Sequence, residues 1–174
     1  ERFDWDAKVT VDRERLKGLM GLEFIDRKEN VILTGPVGVG KTYLANALAH
    51  AACRKEKNVL VKKAAKMFKD LYAARADNTL DRELMRLVSP DLLVIDDFGL
   101  ERLTPEQAHD FYEIVSERYE RGSTITTSNR AVDEWTALFD DTILANSTLD
   151  RLAHNAHQLI IEGESYRRKN GLQG

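Results

Sequence analysis

A glycine-rich stretch early in the chain has the residue types that bind phosphate. Gly35, Pro36, Val37, Gly38, Val39, Gly40, Lys41 and Thr42 match the pattern G-x-x-x-x-G-K-[ST], and Tyr43 follows. Glycines let the backbone fold around a phosphate with its N–H groups pointing inward, and the dipole of a following helix adds positive potential. Lys41 would bring a charge to the β- and γ-phosphates, and Thr42 a hydroxyl to Mg²⁺. The stretch predicts a site for a nucleoside triphosphate with Mg²⁺.

Two adjacent carboxylates follow a strongly apolar run. Asp96 and Asp97 come directly after four residues, 92–95, that read as a buried strand. Charges beside a core are costly, and a bound Mg²⁺ would offset that cost. In P-loop nucleoside-triphosphate hydrolases the acid at this strand end holds the metal. We therefore predict Asp96 as a metal ligand, directly or through water, and Asp97 as the group that polarises the attacking water. A solvated strand end is the alternative.

A polar amide follows the next predicted strand. Asn129 ends the sequence Thr-Ser-Asn, and the carboxyl edge of a parallel sheet is where ligands bind in such folds. Asn129 is a candidate to orient a water molecule near the γ-phosphate. An ordinary turn residue is the alternative.

The elements that must position these groups alternate between strands and helices. Strands are predicted at 31–34, 59–61, 92–95, 124–127 and 159–161. Helices are predicted at 13–19, 41–55, 63–76, 80–88 and 104–121, with two short ones at 133–139 and 143–153. Apolar strands separated by helices predict an α/β fold whose parallel sheet is covered on both faces. Residues 1–30 are expected to form a lead-in segment with a short helix, and residues 31–174 one domain.

Composition is that of a soluble globular domain. The chain has 174 residues, 43% of them hydrophobic and 32% charged, and one cysteine, Cys53, which excludes an internal disulfide. No apolar run approaches the roughly 18 residues of a membrane span, and no signal peptide is evident. These features favour a cytoplasmic protein. A net charge of −3, from 26 basic and 29 acidic residues, excludes a uniformly basic nucleic-acid binder.

Basic residues are nevertheless concentrated in one stretch. Between residues 54 and 69 there are seven Lys or Arg and a single acid, Glu56. Spacing of i, i+4 and i+7 predicts that Lys62, Lys66 and Lys69 share one helical face, with Lys63 beside them. We expect this face to contact DNA phosphates regardless of base sequence. A solvated lysine face is the alternative.

Five motifs, in this order, resemble one known family. They are the phosphate-binding stretch at 35–42, Leu-Leu-Val-Ile-Asp-Asp-Phe-Gly at 92–99, Thr-Thr-Ser-Asn-Arg at 126–130, Leu-Asp-Arg-Leu at 149–152 and Ser-Tyr-Arg at 165–167. The chain resembles the AAA+ ATPase domain of the IstB/DnaC group, and most closely the IstB-like transposition helper proteins. The resemblance implies a three-layer αβα P-loop domain with five parallel strands in the order 5-1-4-3-2 and a minimal or absent lid. It also implies Mg²⁺-dependent ATP hydrolysis.

The same resemblance implies partners. Such domains assemble side by side into rings or helical oligomers, with ATP at the interface and an arginine of one subunit completing its neighbour's site. Arg151 matches that arginine and Arg167 matches a nucleotide-sensing one, with Arg130 the next candidate. Their alternatives are a surface ion pair for Arg151 and a solvated tail residue for Arg167. Duplex DNA and a transposase are the expected partners. The family's N-terminal helical region, which helps contact both, is not apparent, so the chain is expected to be a fragment.

Three other functions are compatible with the sequence. A DnaC-type helicase loader would use the same chemistry with a different partner. A small-molecule P-loop kinase is less favoured, because no arginine-rich lid for a phosphate acceptor is apparent. A nucleotide-binding switch with negligible turnover is disfavoured by the combination of Lys41, Asp96 and Asp97.

Overall fold

The computed structural model describes residues 9–10 and 13–163 of the chain. Its strands are β1 (Val9–Thr10), β2 (Asn30–Thr34), β3 (Val59–Lys63), β4 (Leu92–Asp96), β5 (Ser123–Ser128), β6 (Ala156–Ile160) and β7 (Glu162–Gly163). Its helices are α1 (Arg13–Met20), α2 (Glu23–Asp26), α3 (Lys41–Arg54), α4 (Ala64–Ala76), α5 (Leu80–Val88), α6 (Pro105–Arg118) and α7 (Thr142–Ala153). A 3-10 helix, Val132–Leu138, precedes α7.

The central sheet has five strands in the order β3-β4-β5-β2-β6, and every neighbouring pair is parallel. Numbered along the chain from β2 as the first strand, this is the predicted order 5-1-4-3-2. The separate two-stranded sheet pairs β1 with β7 in antiparallel fashion. The predicted fold class is confirmed, and the topology brings the carboxyl ends of all five central strands to one edge.

Two apolar cores cover the faces of the sheet. One contains Met67, Phe98, Phe111 and Trp135 from the α4–α7 side, and Leu93 and Ile95 from β4 face it. The other contains side chains of α1, α2 and α3, and Leu92 and Val94 face it. All five residues of β4 are buried. This confirms the prediction of a parallel sheet buried on both faces.

Several features differ from the predictions. α2 was not predicted, because four residues are too few to show a helical period. β6 begins at Ala156, three residues before the predicted start at 159, because an edge strand tolerates polar residues such as His157 and Gln158 that conceal it. The pairing of β1 with β7 was not predicted either.

The N-terminus of α6 agrees with its sequence signals. The Thr104 hydroxyl accepts from the Gln107 amide, the Gln107 side chain accepts from the Thr104 amide, and Pro105 occupies the first turn.

The domain boundary placed at residue 30 stays a prediction, although α1 and α2 pack into the same core as α3. Within residues 9–10 and 13–163, no helix is long and apolar enough to cross a membrane.

Candidate nucleotide-binding site

The phosphate-binding stretch connects the end of β2 to the start of α3. Gly35 cannot carry a side chain, because a Cβ there would lie 2.1 Å from the carbonyl oxygen of Ile161, just after β6. Gly40 precedes α3 with a φ of 101°, in the left-handed region that glycine adopts without strain. Close packing on one side and a left-handed turn on the other shape the loop.

The loop forms one wall of a cleft of about 430 Å³. The cleft is lined by Val37, Gly38, Gly40, Lys41, Thr42, Tyr43, Asn46, Asp97, Leu100 and Asn129. The structure therefore brings Asp97 and Asn129 to the loop, as their positions at strand ends predicted. Val39 instead points into the core, where it is 1% exposed, and Gly35 packs against Ile161. Both residues shape the loop rather than line the cleft.

Lys41 is held inside the loop. Its ammonium donates to the Pro36 carbonyl oxygen over 2.7 Å, and the side chain is buried. Burial lowers the pKa of Lys41, and the nearby carboxylates of Asp97 and Asp96 partly oppose that shift. A phosphate in the cleft would add negative charge beside a cation that burial has stripped of water, which is a strong form of charge-assisted hydrogen bonding.

Asp96 lies under the cleft, where it is 4% exposed. The Thr42 hydroxyl lies 2.9 Å from its Oδ1 and 3.1 Å from its Oδ2, and the Thr127 hydroxyl lies 2.5 Å from Oδ1. Hydroxyl and carboxylate oxygens are the ligands that Mg²⁺ takes, usually one or two carboxylates completed by substrate phosphates and water. No group of three or more His, Cys, Asp or Glu side chains arranged to hold a metal occurs in the described part of the chain. Thr42 and Asp96 thus fit a metal that arrives with a nucleotide.

Asp97 follows in a left-handed conformation, with a φ of 56°. Its amide donates to the Thr127 hydroxyl over 2.9 Å, and its side chain lines the cleft. Because of this backbone conformation, the two consecutive carboxylates point in different directions. Asp96 contacts Thr42, and Asp97 points into the cleft.

Lys63 lies beside both carboxylates. Its ammonium is 3.2 Å from Oδ2 of Asp97 and 3.6 Å from Oδ2 of Asp96. The hydrogen bond to Asp97 is the largest of the interactions that raise the pKa of Lys63. The sequence placed this lysine on a DNA-binding helix, whereas the structure places it at the end of β3, paired across to Asp96.

The prediction that Lys62, Lys66 and Lys69 share a helical face is wrong. α4 begins at Ala64, because β3 continues through Lys62 and Lys63 alongside β4. The Lys62 ammonium lies 2.6 Å from Asp70, and its side chain is 11% exposed. Lys66 also reaches Asp70, over 2.8 Å, but it and Lys69 are exposed on α4. Their contact with DNA stays a prediction.

Neither Arg151 nor Arg130 lines the nucleotide cleft. Arg151, in the last turn of α7, donates to the Ser147 carbonyl over 3.0 Å and lies 5.6 Å from the centre of the Tyr112 ring. It lines a separate cleft of about 260 Å³ with Tyr119, Asp150 and His154. Arg130 donates to the Gly99 carbonyl over 2.6 Å, and Arg167 lies outside the described residues. Arg151 is therefore not part of the nucleotide cleft of its own chain.

Sequence reasoning missed three residues of the site. Asn46 and Leu100 line the cleft, and Thr127 contacts both aspartates. Thr127 lies within the strand predicted at 124–127, and the sequence pattern gives it no role in the site. The signal that could have identified it is register: β4 and β5 are parallel and Ile95 pairs with Thr126, so the next residue of β5, Thr127, lies beside Asp96.

The family model and the sequence relatives point to the same protein family. Residues 1–174 match the family model described as IstB-like ATP binding protein. A Sinorhizobium fredii protein named as an insertion sequence ATP-binding protein is 40% identical over 168 residues, or 97% of this chain and 69% of that one. A Pseudomonas aeruginosa protein named for insertion sequence IS21 is 40% identical over 169 residues, or 97% of this chain and 64% of that one. The chain spans about two thirds of the length of these relatives.

Solved structures share the fold. The DnaI structure superposes with a TM-score of 0.77 at 23% identity, covering 92% of this chain and 88% of that one. The DnaC helicase loader superposes with a TM-score of 0.73 at 21% identity, covering 86% of this chain and 87% of that one. At these identities the likeness establishes the fold alone.

The position of Lys41 yields a direct test of the cleft. We expect Lys41→Ala to weaken binding of a fluorescent ATP analogue by about 100-fold, because a charge-assisted hydrogen bond to phosphate is lost in a partly desolvated loop. Equilibrium titration of the analogue measures the affinity. Lys69→Ala, which removes an exposed lysine of α4, is the matched control and should bind as the wild type does. An affinity of Lys41→Ala within threefold of wild type would mean that the cleft is not the phosphate site.

Proposed function

Since the chain belongs to the IstB-like ATP binding protein family, we propose that it binds and hydrolyses ATP with Mg²⁺, and that it assembles on DNA to assist a transposase in the cytoplasm. The observation that carries the proposal is the meeting of the phosphate-binding loop, Asp97 and Asn129 in one cleft above the Thr42–Asp96 pair. The names of the relatives, which describe ATP-binding proteins of insertion sequences, support the biological setting.

Each residue has a distinct task in the proposed hydrolysis. The loop amides and Lys41 hold the β- and γ-phosphates, and Thr42 and Asp96 hold Mg²⁺. When bound, the metal neutralises charge on the phosphate oxygens. Asp97 accepts a hydrogen bond from the attacking water and draws its proton away, and Asn129, which also lines the cleft, fixes the orientation of that water. Positioning and charge stabilisation carry most of the catalysis in phosphoryl transfer.

An arginine supplied by a second copy would complete the site. Arg151 is a candidate because it lines a cleft separate from the nucleotide cleft of its own chain, and its guanidinium is oriented by Tyr112 and Ser147. A guanidinium placed on the γ-phosphate of a neighbour would stabilise the charge that spreads over the phosphoryl oxygens during transfer. Assembly and hydrolysis would then depend on each other.

The DNA surface that we propose is smaller than the sequence indicated. Lys66 and Lys69 project from α4, and Lys63 lies at the edge of the nucleotide site. Lys62 is left out of this surface, because its side chain is only 11% exposed and is bonded to Asp70. Point charges of this kind bind the phosphate backbone without reading the bases.

Transposition is favoured over helicase loading by the sequence relatives. Proteins named for insertion sequences match at 40% identity, whereas the helicase loader DnaC matches at 21% and supports only the fold. Titration of the chain with duplex and with single-stranded DNA of equal length would separate the two functions, since a transposition helper should prefer the duplex.

Hydrolysis depends on Asp97 in a way that binding does not. We expect Asp97→Asn to bind ATP within threefold of wild type and to hydrolyse it at least tenfold more slowly, because an amide is a poor base while Asp96 still holds the metal. Phosphate release and nucleotide titration measure the two properties. Asp77→Asn, at the exposed end of α4, is the control. Unchanged turnover would refute the role of Asp97, and a collapse of binding would show that both aspartates hold the metal.

Arg151 is expected to act in trans. Arg151→Ala should keep nucleotide binding and lose at least tenfold in hydrolysis, where arginine fingers in general contribute ~10³–10⁵. Arg121→Ala, which removes an exposed arginine paired with Glu117, should have no effect. Mixing is the decisive measurement: a Lys41→Ala subunit still offers Arg151 to an Arg151→Ala neighbour, so the mixture should regain activity. Inactive mixtures that demonstrably contain mixed assemblies would exclude Arg151 and favour Arg130.

The lysines of α4 should contribute equally to the affinity for DNA duplexes of any base sequence. Replacing Lys66 and Lys69 with Glu should weaken binding to all duplexes alike and lower the slope of log affinity against log salt by about two. Lys17→Glu with Lys28→Glu makes the same change of charge on the α1–α2 side and should have a much smaller effect. Fluorescence anisotropy over a series of salt concentrations measures both quantities. Unchanged affinity, or a loss confined to one sequence, would reject this surface.

A further inference from the structure

One residue of β5 holds three consecutive residues at the end of β4. The Thr127 hydroxyl donates to the Asp96 carboxylate and accepts from the amide of Asp97. The carbonyl oxygen of Thr127 accepts from the amide of Phe98 over 2.8 Å. The side chain is fully buried, so water does not compete for these bonds.

These bonds lie where the regular pairing of the two strands ends. The last paired residues are Ile95 and Thr126, and the backbone of β4 then turns into the left-handed conformation at Asp97. Beyond that point no ladder pair with β5 holds the two aspartates, although Asp96 is still paired with Lys63 of β3. Thr127 takes the place of the missing pairs, because a hydroxyl has one hydrogen to donate and lone pairs to accept. The hydrogen orients Asp96, and a lone pair orients the peptide that carries Asp97.

We propose that Thr127 is a positioning residue that aims Asp96 at the metal beside Thr42 and Asp97 at the attacking water. The proposal rests on the proposed ATPase function, and it assigns to a strand residue the alignment of two carboxylates with different tasks. Removing a hydrogen-bonding partner of a metal ligand typically lowers metal affinity or activity about 10–100-fold.

The adjacent residue, Thr126, provides a matched control. Thr126 is equally buried, yet its hydroxyl has no hydrogen-bond partner within residues 9–10 and 13–163. Valine has the same shape as threonine and a comparable strand propensity. Thr127→Val and Thr126→Val therefore make the same chemical change on neighbouring residues, and only the first removes bonds to the aspartates.

The test measures metal-dependent nucleotide binding without any hydrolysis. The β,γ-methylene analogue of ATP is bound to the chain, and Mg²⁺ is titrated while analogue affinity is followed. We expect Thr127→Val to raise the half-saturating Mg²⁺ concentration about 10–100-fold, while affinity without Mg²⁺ changes less than threefold. Thr127→Ser should restore the wild-type titration, because serine keeps the hydroxyl, and Thr126→Val should match wild type. If the valine variant folds poorly, Thr127→Ala replaces it. Alanine also removes both side-chain bonds, so the same rise in the half-saturating Mg²⁺ concentration is expected.

Two outcomes would overturn the assignment. One is a Thr127→Val titration that superposes on wild type. The other is a Thr127→Ser variant as impaired as Thr127→Val, which would mean that shape rather than hydrogen bonding matters. Phosphate release by the wild-type chain is measured separately. If wild type binds the analogue with Mg²⁺ but releases no phosphate from ATP, the proposed hydrolysis fails, while the Mg²⁺ titration still decides the role of Thr127.

Discussion

A carboxylate buried at the end of a buried strand is the constraint on which this structure depends. Asp96 is 4% exposed, and its charge would be prohibitive without partners in the same interior. The structure supplies hydroxyls from Thr42 on α3 and Thr127 on β5, with the ammonium of Lys63 at 3.6 Å. The carboxylate thereby ties together the phosphate-binding helix and three neighbouring strands. The same oxygens that stabilise it are suited to a metal that arrives with phosphate.

The order of the strands makes this convergence possible. β5 lies between β4 and β2, and its carboxyl end contributes Thr127 and Asn129 from either side of its last residue. β3 flanks β4 on the other side and delivers Lys63. Because all five central strands are parallel, their carboxyl ends meet at one edge, and four separate stretches of sequence contribute to one cleft region.

Much of this arrangement was predictable because it depends on local pattern. The loop at 35–42, the apolar strand before Asp96 and the capping signals at Thr104 and Gln107 each carry their meaning within a few residues. These local patterns predict the fold class and the candidate residues Lys41, Thr42, Asp96, Asp97 and Asn129. The strand order follows from the family resemblance.

What could not be predicted depends on partners distant in sequence. Lys62 and Lys63 have a spacing compatible with a helix, but pairing with β4 extends β3 through both, and Asp70 and Asp97 then neutralise them. β6 begins with polar residues because an edge strand is half solvated. Thr127 has no local signal at all, since its importance comes from lying opposite the turn at Asp97.

We propose that Thr42 and Asp96 act as one unit on a single metal. A double-mutant cycle on Mg²⁺-dependent nucleotide binding, with Thr42→Val, Asp96→Asn and the double variant, measures how strongly the two residues are coupled. If both hold one metal, their effects are strongly non-additive, with a coupling of about 1–3 kcal/mol and a double variant little worse than the poorer single variant. Effects that add to within about 0.5 kcal/mol would show that the two residues act independently and do not share a metal.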